Sequence, residues 1–142
     1  MNLTFREKTL WLSLVSLVVV YAVYFATALS DFSAQIASVH VSAFVGMLII
    51  LITIQIVGNT VLAIANRREL AASVQSDERD TLIRLKGTQL GFYVLVIGVF
   101  VSLCLAVLVP GNFVFVHVLL AFWVLAQATE TLSRLIFYRR GV

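Results

Sequence analysis

The amino-acid sequence predicts an all-α fold, an integral-membrane bundle of four helices, and three observations lead to it. The 142 residues are 61% hydrophobic and 12% charged, whereas soluble domains have about 45–50% apolar and about 25% charged residues. The apolar residues form long uncharged runs, and a membrane-spanning helix needs about 20 such residues. The basic residues gather at the ends of these runs. Together these features exclude an ordinary soluble domain.

Composition excludes several further classes. A single cysteine cannot form an intrachain disulfide or a multi-cysteine metal site, and one proline with seven glycines does not fit a collagen-like or disordered chain. The apolar runs are continuous rather than alternating, so membrane-spanning strands are excluded as well. No nucleophile–base arrangement, phosphate-binding loop or HExxH motif is present. We therefore predict a protein that is not an enzyme, with no cofactor and no metal site.

The uncharged runs divide into four spans within a single domain, residues 1–142. The first run ends at Asp31, and a polar loop at 30–38 separates it from the second, which ends before Arg67. The third run, 87–129, is long enough for two spans, and its middle holds Pro110–Gly111–Asn112, a strong turn signal. The predicted spans are 9–29, 41–65, 88–109 and 113–136, with a cytoplasmic connection at 66–87.

The positions of the basic residues predict the orientation. With four spans, all ten fall on one side of the membrane: Arg6, Lys8, Arg67, Arg68, Arg79, Arg84, Lys86, Arg134, Arg139 and Arg140. The positive-inside rule makes that side cytoplasmic, so both termini and the connection are predicted to be cytoplasmic. A split of ten to zero also excludes a dual-topology transporter, which needs balanced charges on the two sides.

The first span has features of a cleavable signal peptide. It ends in Ala26–Thr27–Ala28, which resembles a cleavage site. Its apolar stretch is longer than the apolar region of a signal peptide, so we interpret it as a retained span.

The two helical hairpins resemble each other. His40 and His117 each lie between two valines, and Gln55 and Gln127 each precede an Arg-Arg pair by twelve residues. Because both hairpins enter from the same side, a duplication would relate them by an axis along the membrane normal. Both a duplication and a chance match in Val- and Leu-rich sequence remain open.

The central connection predicts a helix start. Ser76 can cap a helix, acidic residues follow it in the first turn, and Asp80 and Arg84 have the spacing of a helical ion pair. One interpretation is a docking surface for a cytoplasmic partner; the other is a solvated helical elbow that fixes topology. The docking residues would be Asp77, Glu78, Arg79, Asp80 and Arg84.

Polar residues at membrane depth form a second candidate site. Gln55 and Asn59 share one face of span two, and Gln127, Glu130 and Arg134 share one face of span four. Such residues face a bundle interior or a cavity. They would form either a ligand- or proton-binding pocket, or interhelical hydrogen bonds with a Glu130–Arg134 ion pair.

Three other features carry weaker predictions. His40 and His117 could be the axial ligands of one b-type haem, with structural histidines as the alternative. Gly87, Gly91 and Gly98 form a stripe that permits close packing of helices within the chain or in a homodimer. The aromatic residues predict an interfacial belt: Trp11, Tyr21, Tyr24, Phe25, Tyr93, Phe137 and Tyr138.

The segment Ser76–Asp80, the run Gly91–Phe92–Tyr93 and the end Tyr138–Gly141 resemble a family of small bacterial inner-membrane proteins of unknown function. Its members have four spans, a DERD-type central segment and a YRRG-like tail. The resemblance covers the chain from about Asp77 onward. Some members are encoded beside small helix-turn-helix regulators, which implies an accessory or regulatory role.

The combined expectation is an accessory or regulatory protein of the bacterial inner membrane that binds a partner or lipids. The excess of basic over acidic residues, with a pI of about 9.4, lies at the ends of the spans and favours anionic lipid headgroups over nucleic acid as binding partners. The first alternative is a small-molecule or proton permeation protein built around Gln55, Asn59, Gln127 and Glu130. The second is a b-haem-binding bundle using His40 and His117.

Overall fold

The computed structural model describes residues 4–30, 38–67 and 78–140, and these form four helices with no strand among them. The helices are α1 (Phe5–Ser30), α2 (Ser38–Ala65), α3 (Glu78–Leu108) and α4 (Phe113–Arg140). Each is long and apolar enough to cross a membrane. The prediction of an all-α, multi-pass membrane bundle is confirmed.

The helix bounds differ from the predicted spans at the charged ends. α3 begins at Glu78 rather than at 88, and α4 continues to Arg140 rather than ending at 136. A helix does not stop where hydrocarbon stops, because its backbone groups stay hydrogen-bonded as long as helix-forming residues follow. With 31 residues, α3 is about 46 Å long and exceeds the membrane core by several turns. Residues 78–87 of the predicted connection are therefore the start of α3. Most of the predicted polar loop at 30–38 and the predicted cap Ser76 lie outside the described residues.

The turn between α3 and α4 lies where the sequence predicts it. α3 ends at Leu108 and α4 begins at Phe113, on either side of Pro110. Gly111 has a φ of 93°, a conformation that costs an L-residue free energy and costs glycine little. Pro110 and Gly111 together thus account for a short connection between two antiparallel helices.

The helices pack in the order α2, α1, α4, α3, so the two hairpins meet along α1 and α4. The core of this contact holds Tyr21, which is 1% exposed, and Tyr24. The ring of Tyr21 meets Trp123 of α4 edge to face, with centroids 5.9 Å apart. The predicted interfacial belt is therefore wrong for these two tyrosines: their rings fill the space between helices.

The glycine stripe is used within the chain. Gly87, Gly91 and Gly98 are buried on α3, and a Cβ at Gly91 would lie 2.9 Å from the carbonyl oxygen of Ala126. A Cβ at Gly98 would overlap Phe122. The absence of side chains at these positions lets α3 and α4 approach closely, so this face is not available for a homodimer.

Candidate functional site

The charged side chains at one end of the bundle connect helices that are distant in sequence. Arg6 at the start of α1 forms an ion pair with Asp80 at the start of α3. On the other side of α1, Lys8 Nζ donates a hydrogen bond of 2.7 Å to Asn66 Oδ1, just after α2. We call this the basic end of the bundle: the starts of α1 and α3 and the ends of α2 and α4.

A cavity of about 300 Å³ opens at the basic end between α1, α3 and α4. The described residues of its walls contribute guanidinium groups, hydroxyl groups, one carboxylate and one aliphatic side chain. The lining residues are Arg6, Thr9, Leu10, Asp80, Thr81, Arg84, Arg134 and Tyr138. We refer to it as the arginine cavity.

The arginines of this cavity differ in how their charges are balanced. Arg6 is paired with Asp80, and Arg134 is paired with Glu130 one turn earlier on α4. Arg84 is exposed and has no ion-pair or hydrogen-bond partner in the part of the chain that the structure describes. The arginine cavity therefore carries one positive charge that the surrounding carboxylates do not neutralise.

The pair on α4 is extended by a hydroxyl group of α3. Arg134 donates a hydrogen bond of 3.0 Å to Thr88 Oγ1, and Thr88 donates one of 3.1 Å to Glu130 Oε1. The predicted Glu130–Arg134 ion pair is thus present. Thr88 hydrogen-bonds to both charged groups at the same time and joins α3 to α4 beside Gly87.

The predicted ion pair between Asp80 and Arg84 is wrong. The carboxylate of Asp80 instead contacts Arg6, since α1 brings that guanidinium against the start of α3. Of the other predicted docking residues, Glu78 and Arg79 are exposed, and Asp77 lies outside the described residues. The start of α3 therefore presents two charged side chains on its surface and turns two toward the arginine cavity.

Gln55 and Asn59 lie at the α1–α2 contact. Gln55 Nε2 is 3.0 Å from Ser16 Oγ and 3.3 Å from Ser13 Oγ of α1. Asn59 Nδ2 donates to Gln55 Oε1 over 3.4 Å. These contacts match the interpretation of Gln55 as an interhelical hydrogen-bonding residue.

The predicted polar pocket is divided between different interfaces. Gln55 belongs to the α1–α2 contact, Asn59 is exposed and hydrogen-bonds to Gln55 on its own helix, and Glu130 contacts α3. The side chain of Gln127 is exposed, and its carbonyl oxygen accepts a hydrogen bond from Thr131 of its own helix. The sequence places these residues on helix faces, but the neighbours of each face depend on the order in which the helices pack.

His117 is buried, at 5% exposed, between α4 and α1. Its Nδ1 is 2.8 Å from the carbonyl oxygen of Phe113, which can only accept, so Nδ1 carries the proton. Nε2 then accepts from the Tyr24 hydroxyl at 3.2 Å. Both ring nitrogens are thus engaged by the protein, which favours the structural alternative over a haem ligand. His40 lies in α2, and its side chain is outside the described set.

Several residues of these contacts escaped the sequence analysis. Thr9, Ser13 and Ser16 lie at spacings of four and three on α1, which places them on one helix face. This polar stripe was the available signal: Thr9 lines the arginine cavity and the two serines contact Gln55. No comparable signal exists for Arg6, because its partner Asp80 is 74 positions away.

No protein-family model matches this chain, and no curated protein or solved structure matches it either. In the described ranges, no three His, Cys, Asp or Glu side chains come together in a group that could hold a metal ion. The interpretation of the arginine cavity therefore depends on the contacts of this chain alone.

Proposed function

We propose that this protein is a multi-pass protein of the bacterial inner membrane with an accessory or regulatory role, which binds a partner or lipids at its basic end and catalyses no reaction. The observation that carries the proposal is the arginine cavity, which concentrates three of the ten basic residues of the chain at one end of the bundle. The resemblance to small inner-membrane proteins with a DERD-type segment supports the same role.

The charge distribution supports a cytoplasmic position for the basic end. Lys and Arg in short segments beside membrane spans are retained on the cytoplasmic side. The four helices each have the length and hydropathy of a span, so both termini and the connection between α2 and α3 lie on that side. The first turns of α3, which extend beyond the membrane core, place Glu78 and Arg79 within reach of a cytoplasmic partner.

The contacts favour this role over permeation. A permeation pathway around Gln55, Asn59, Gln127 and Glu130 needs these side chains to face one another. Gln55 instead contacts α1, Glu130 contacts α3, and Asn59 and Gln127 are exposed. If the protein forms a homodimer, its interface lies away from the glycine stripe, because that stripe is buried against α4.

Labelling of single cysteines tests the orientation. In a Cys104→Ser background, we introduce Arg79→Cys at the exposed start of α3 and Pro110→Cys at the exposed turn between α3 and α4. An impermeant maleimide should label residue 110 in intact cells and residue 79 only after permeabilisation. Labelling of residue 79 in intact cells would contradict the proposal.

Site-specific photo-crosslinking tests for a protein partner. A photoreactive amino acid at residue 79 should give a reproducible adduct of one size in living cells, whereas the same group at Val107, which is 86% exposed at the opposite end of α3, should not. Equal adducts at both positions would contradict a partner-binding surface at the basic end.

A further inference from the structure

We propose that the arginine cavity binds a phosphate group, the chemistry shared by an anionic lipid headgroup and a soluble phosphoryl compound. This inference deepens the proposed function and rests on it only for the placement of the basic end at the cytoplasmic surface. It depends on the residues that line the cavity and on the balance of their charges.

The charge balance favours an anion. Among the described lining residues, Asp80 is the one carboxylate, and Arg6 forms an ion pair with it. Glu130 neutralises Arg134 from outside the cavity. Arg84 therefore supplies an unbalanced charge, and a planar guanidinium can donate two parallel hydrogen bonds to the oxygens of a phosphate group.

The neutral lining residues suit the same ligand. Thr81 and Tyr138 contribute hydroxyl groups, which donate hydrogen bonds to phosphate oxygens. Leu10 is the one aliphatic side chain among the described lining residues, and each of the others carries a polar group. A volume of about 300 Å³ is at the lower end of the range for small-molecule sites and accommodates a headgroup rather than a large cofactor.

The depth of the cavity coincides with lipid phosphates. Arg134 lies six residues before the end of α4 at Arg140, which is about 9 Å along the helix. The headgroup layer on each side of the hydrocarbon core is about 5–8 Å thick. With the end of α4 taken as the outer edge of that layer, the arginine cavity, which includes Arg134 and the starts of α1 and α3, is at the level of the phosphodiester groups of the same leaflet.

The experiment measures lipid binding to the full-length protein by native mass spectrometry. The purified protein is titrated with phosphatidylglycerol and, separately, with zwitterionic phosphatidylcholine. Arg84→Gln removes the unbalanced charge inside the cavity. Arg79→Gln is the matched control, since it makes the same change five residues earlier on α3 at a position that does not line the cavity.

Comparison of the two variants distinguishes binding in the arginine cavity from attraction of the lipid by diffuse surface charge. Loss of one surface charge weakens attraction to anionic lipid about fivefold, and this is the largest effect expected for Arg79→Gln. Arg84→Gln also loses a charge-assisted hydrogen bond, so its affinity for phosphatidylglycerol should fall about tenfold further. Equal affinities of the two variants, or no preference of the wild-type protein for phosphatidylglycerol, would overturn the inference while leaving the labelled orientation unaffected.

A second variant, Tyr138→Phe, tests the inference if Arg84→Gln does not fold. Tyr138→Phe removes a hydroxyl group from the cavity without changing any charge, and it should weaken phosphatidylglycerol binding about threefold. With Arg84→Gln unfolded, an unchanged affinity of Tyr138→Phe would overturn the inference.

Competition with inorganic phosphate distinguishes the two sources of the ligand. If millimolar phosphate displaces phosphatidylglycerol from the wild-type protein but not from Arg84→Gln, the cavity accepts soluble phosphoryl compounds. If phosphate displaces no phosphatidylglycerol while Arg84→Gln still binds this lipid more weakly than Arg79→Gln, the ligand is a lipid headgroup. Displacement that is equal in both variants reflects screening of surface charge and would contradict a phosphate site in the cavity.

Discussion

At the scale of single residues, the contact between α3 and α4 depends on positions that have a small side chain or none. Gly98 lies against Phe122 so closely that a Cβ would overlap its side chain, and Ser102, one turn later, is fully buried. Between helices surrounded by lipid, close packing supplies much of the association, because apolar burial drives it little. Side-chain volume at these positions therefore controls how near the two helices come.

Gly98→Ala should destabilise the protein by about 1–3 kcal/mol, the usual cost of overpacking a filled interface. Gly46→Ala on α2 is the control, because a Cβ there meets no atom within 4 Å, and replacing a mid-helix glycine adds about 0.5–1 kcal/mol of stability. Reversible unfolding in detergent, followed by circular dichroism, measures both. A Gly98→Ala protein as stable as the wild type would show that the α3–α4 separation is not set by this contact.

The buried hydrogen bond between Tyr24 and His117 gives a second prediction at this scale. Tyr24→Phe removes the hydroxyl group that donates to Nε2 of His117, and the loss of this buried hydrogen bond should cost about 1 kcal/mol of stability. In Tyr93→Phe, the lost hydrogen bond with Gln89 is exposed, so the same unfolding measurement should change by about 0.5 kcal/mol or less. Equal losses of unfolding free energy in Tyr24→Phe and Tyr93→Phe would contradict a buried hydrogen bond between Tyr24 and His117.

At the scale of helices, α2 lies at one end of the row and packs principally against α1. Much of its surface consists of exposed valines and isoleucines, a composition suited to lipid. The hydrogen bonds of Gln55 with Ser13 and Ser16, together with that of Lys8 with Asn66, hold it to the rest of the bundle. Polar contacts thus fix the position of a helix whose apolar side chains have little partner specificity.

Gln55→Leu should loosen α2 from α1. Interhelical hydrogen bonds in membranes contribute about 0.6 kcal/mol on average and up to about 1.7 kcal/mol, and the loss here should approach the upper figure because several bonds are removed. Gln89→Leu makes the same change on α3, where the side chain bonds only within its own helix. Thermal unfolding of both variants should place the midpoint of Gln55→Leu lower; the reverse order would contradict the packing of α2.

At the scale of the whole molecule, the helices form a row in which α1 and α3 are both neighbours of α4. The Arg6–Asp80 ion pair joins α1 directly to α3 at the basic end. An ion pair near the protein surface adds little stability, about 0–1 kcal/mol. The consequence of the Arg6–Asp80 pair is geometric, since both residues line the arginine cavity and join its α1 wall to its α3 wall.

Chemical cross-linking tests this arrangement. In an Arg6→Lys variant, the new amine should lie close enough to Asp80 for a carbodiimide to form a zero-length amide bond between them. Mass spectrometry of the digested protein should then identify a peptide that joins residues 6 and 80. Adding Asp80→Asn should remove that peptide; a cross-link that persists, or its absence in Arg6→Lys alone, would contradict the order of helices at the basic end.

Much of the fold was predictable because it follows from local properties. Apolar runs of sufficient length require helices in a membrane, since every backbone group must be hydrogen-bonded within its own segment. The turn at Pro110–Gly111 follows from the conformational preferences of those two residues. Glu130 and Arg134 have the helical spacing that permits an ion pair, and the structure contains all three features.

The candidate site was predictable only in part. Arg134, Asp80 and Arg84 were each singled out, but they were assigned to two separate sites, and the structure brings them into one cavity with Arg6 and Tyr138. The pairing of Asp80 with Arg6 instead of Arg84, and the burial of Tyr21 between helices, could not be derived from spacing. Each depends on which helix lies next to which.

The sequence by itself therefore determined the class of protein, the number of helices, the connecting turn and the face of each helix that carries polar groups, because these depend on residues close together in the chain. Only the tertiary structure decided the order of the helices, the use of the glycine stripe within the chain and the assembly of the arginine cavity. In a chain so rich in Val, Leu and Ile, many helix faces are equally apolar, so the choice among neighbours depends on a few small and polar residues whose partners lie far away in the sequence.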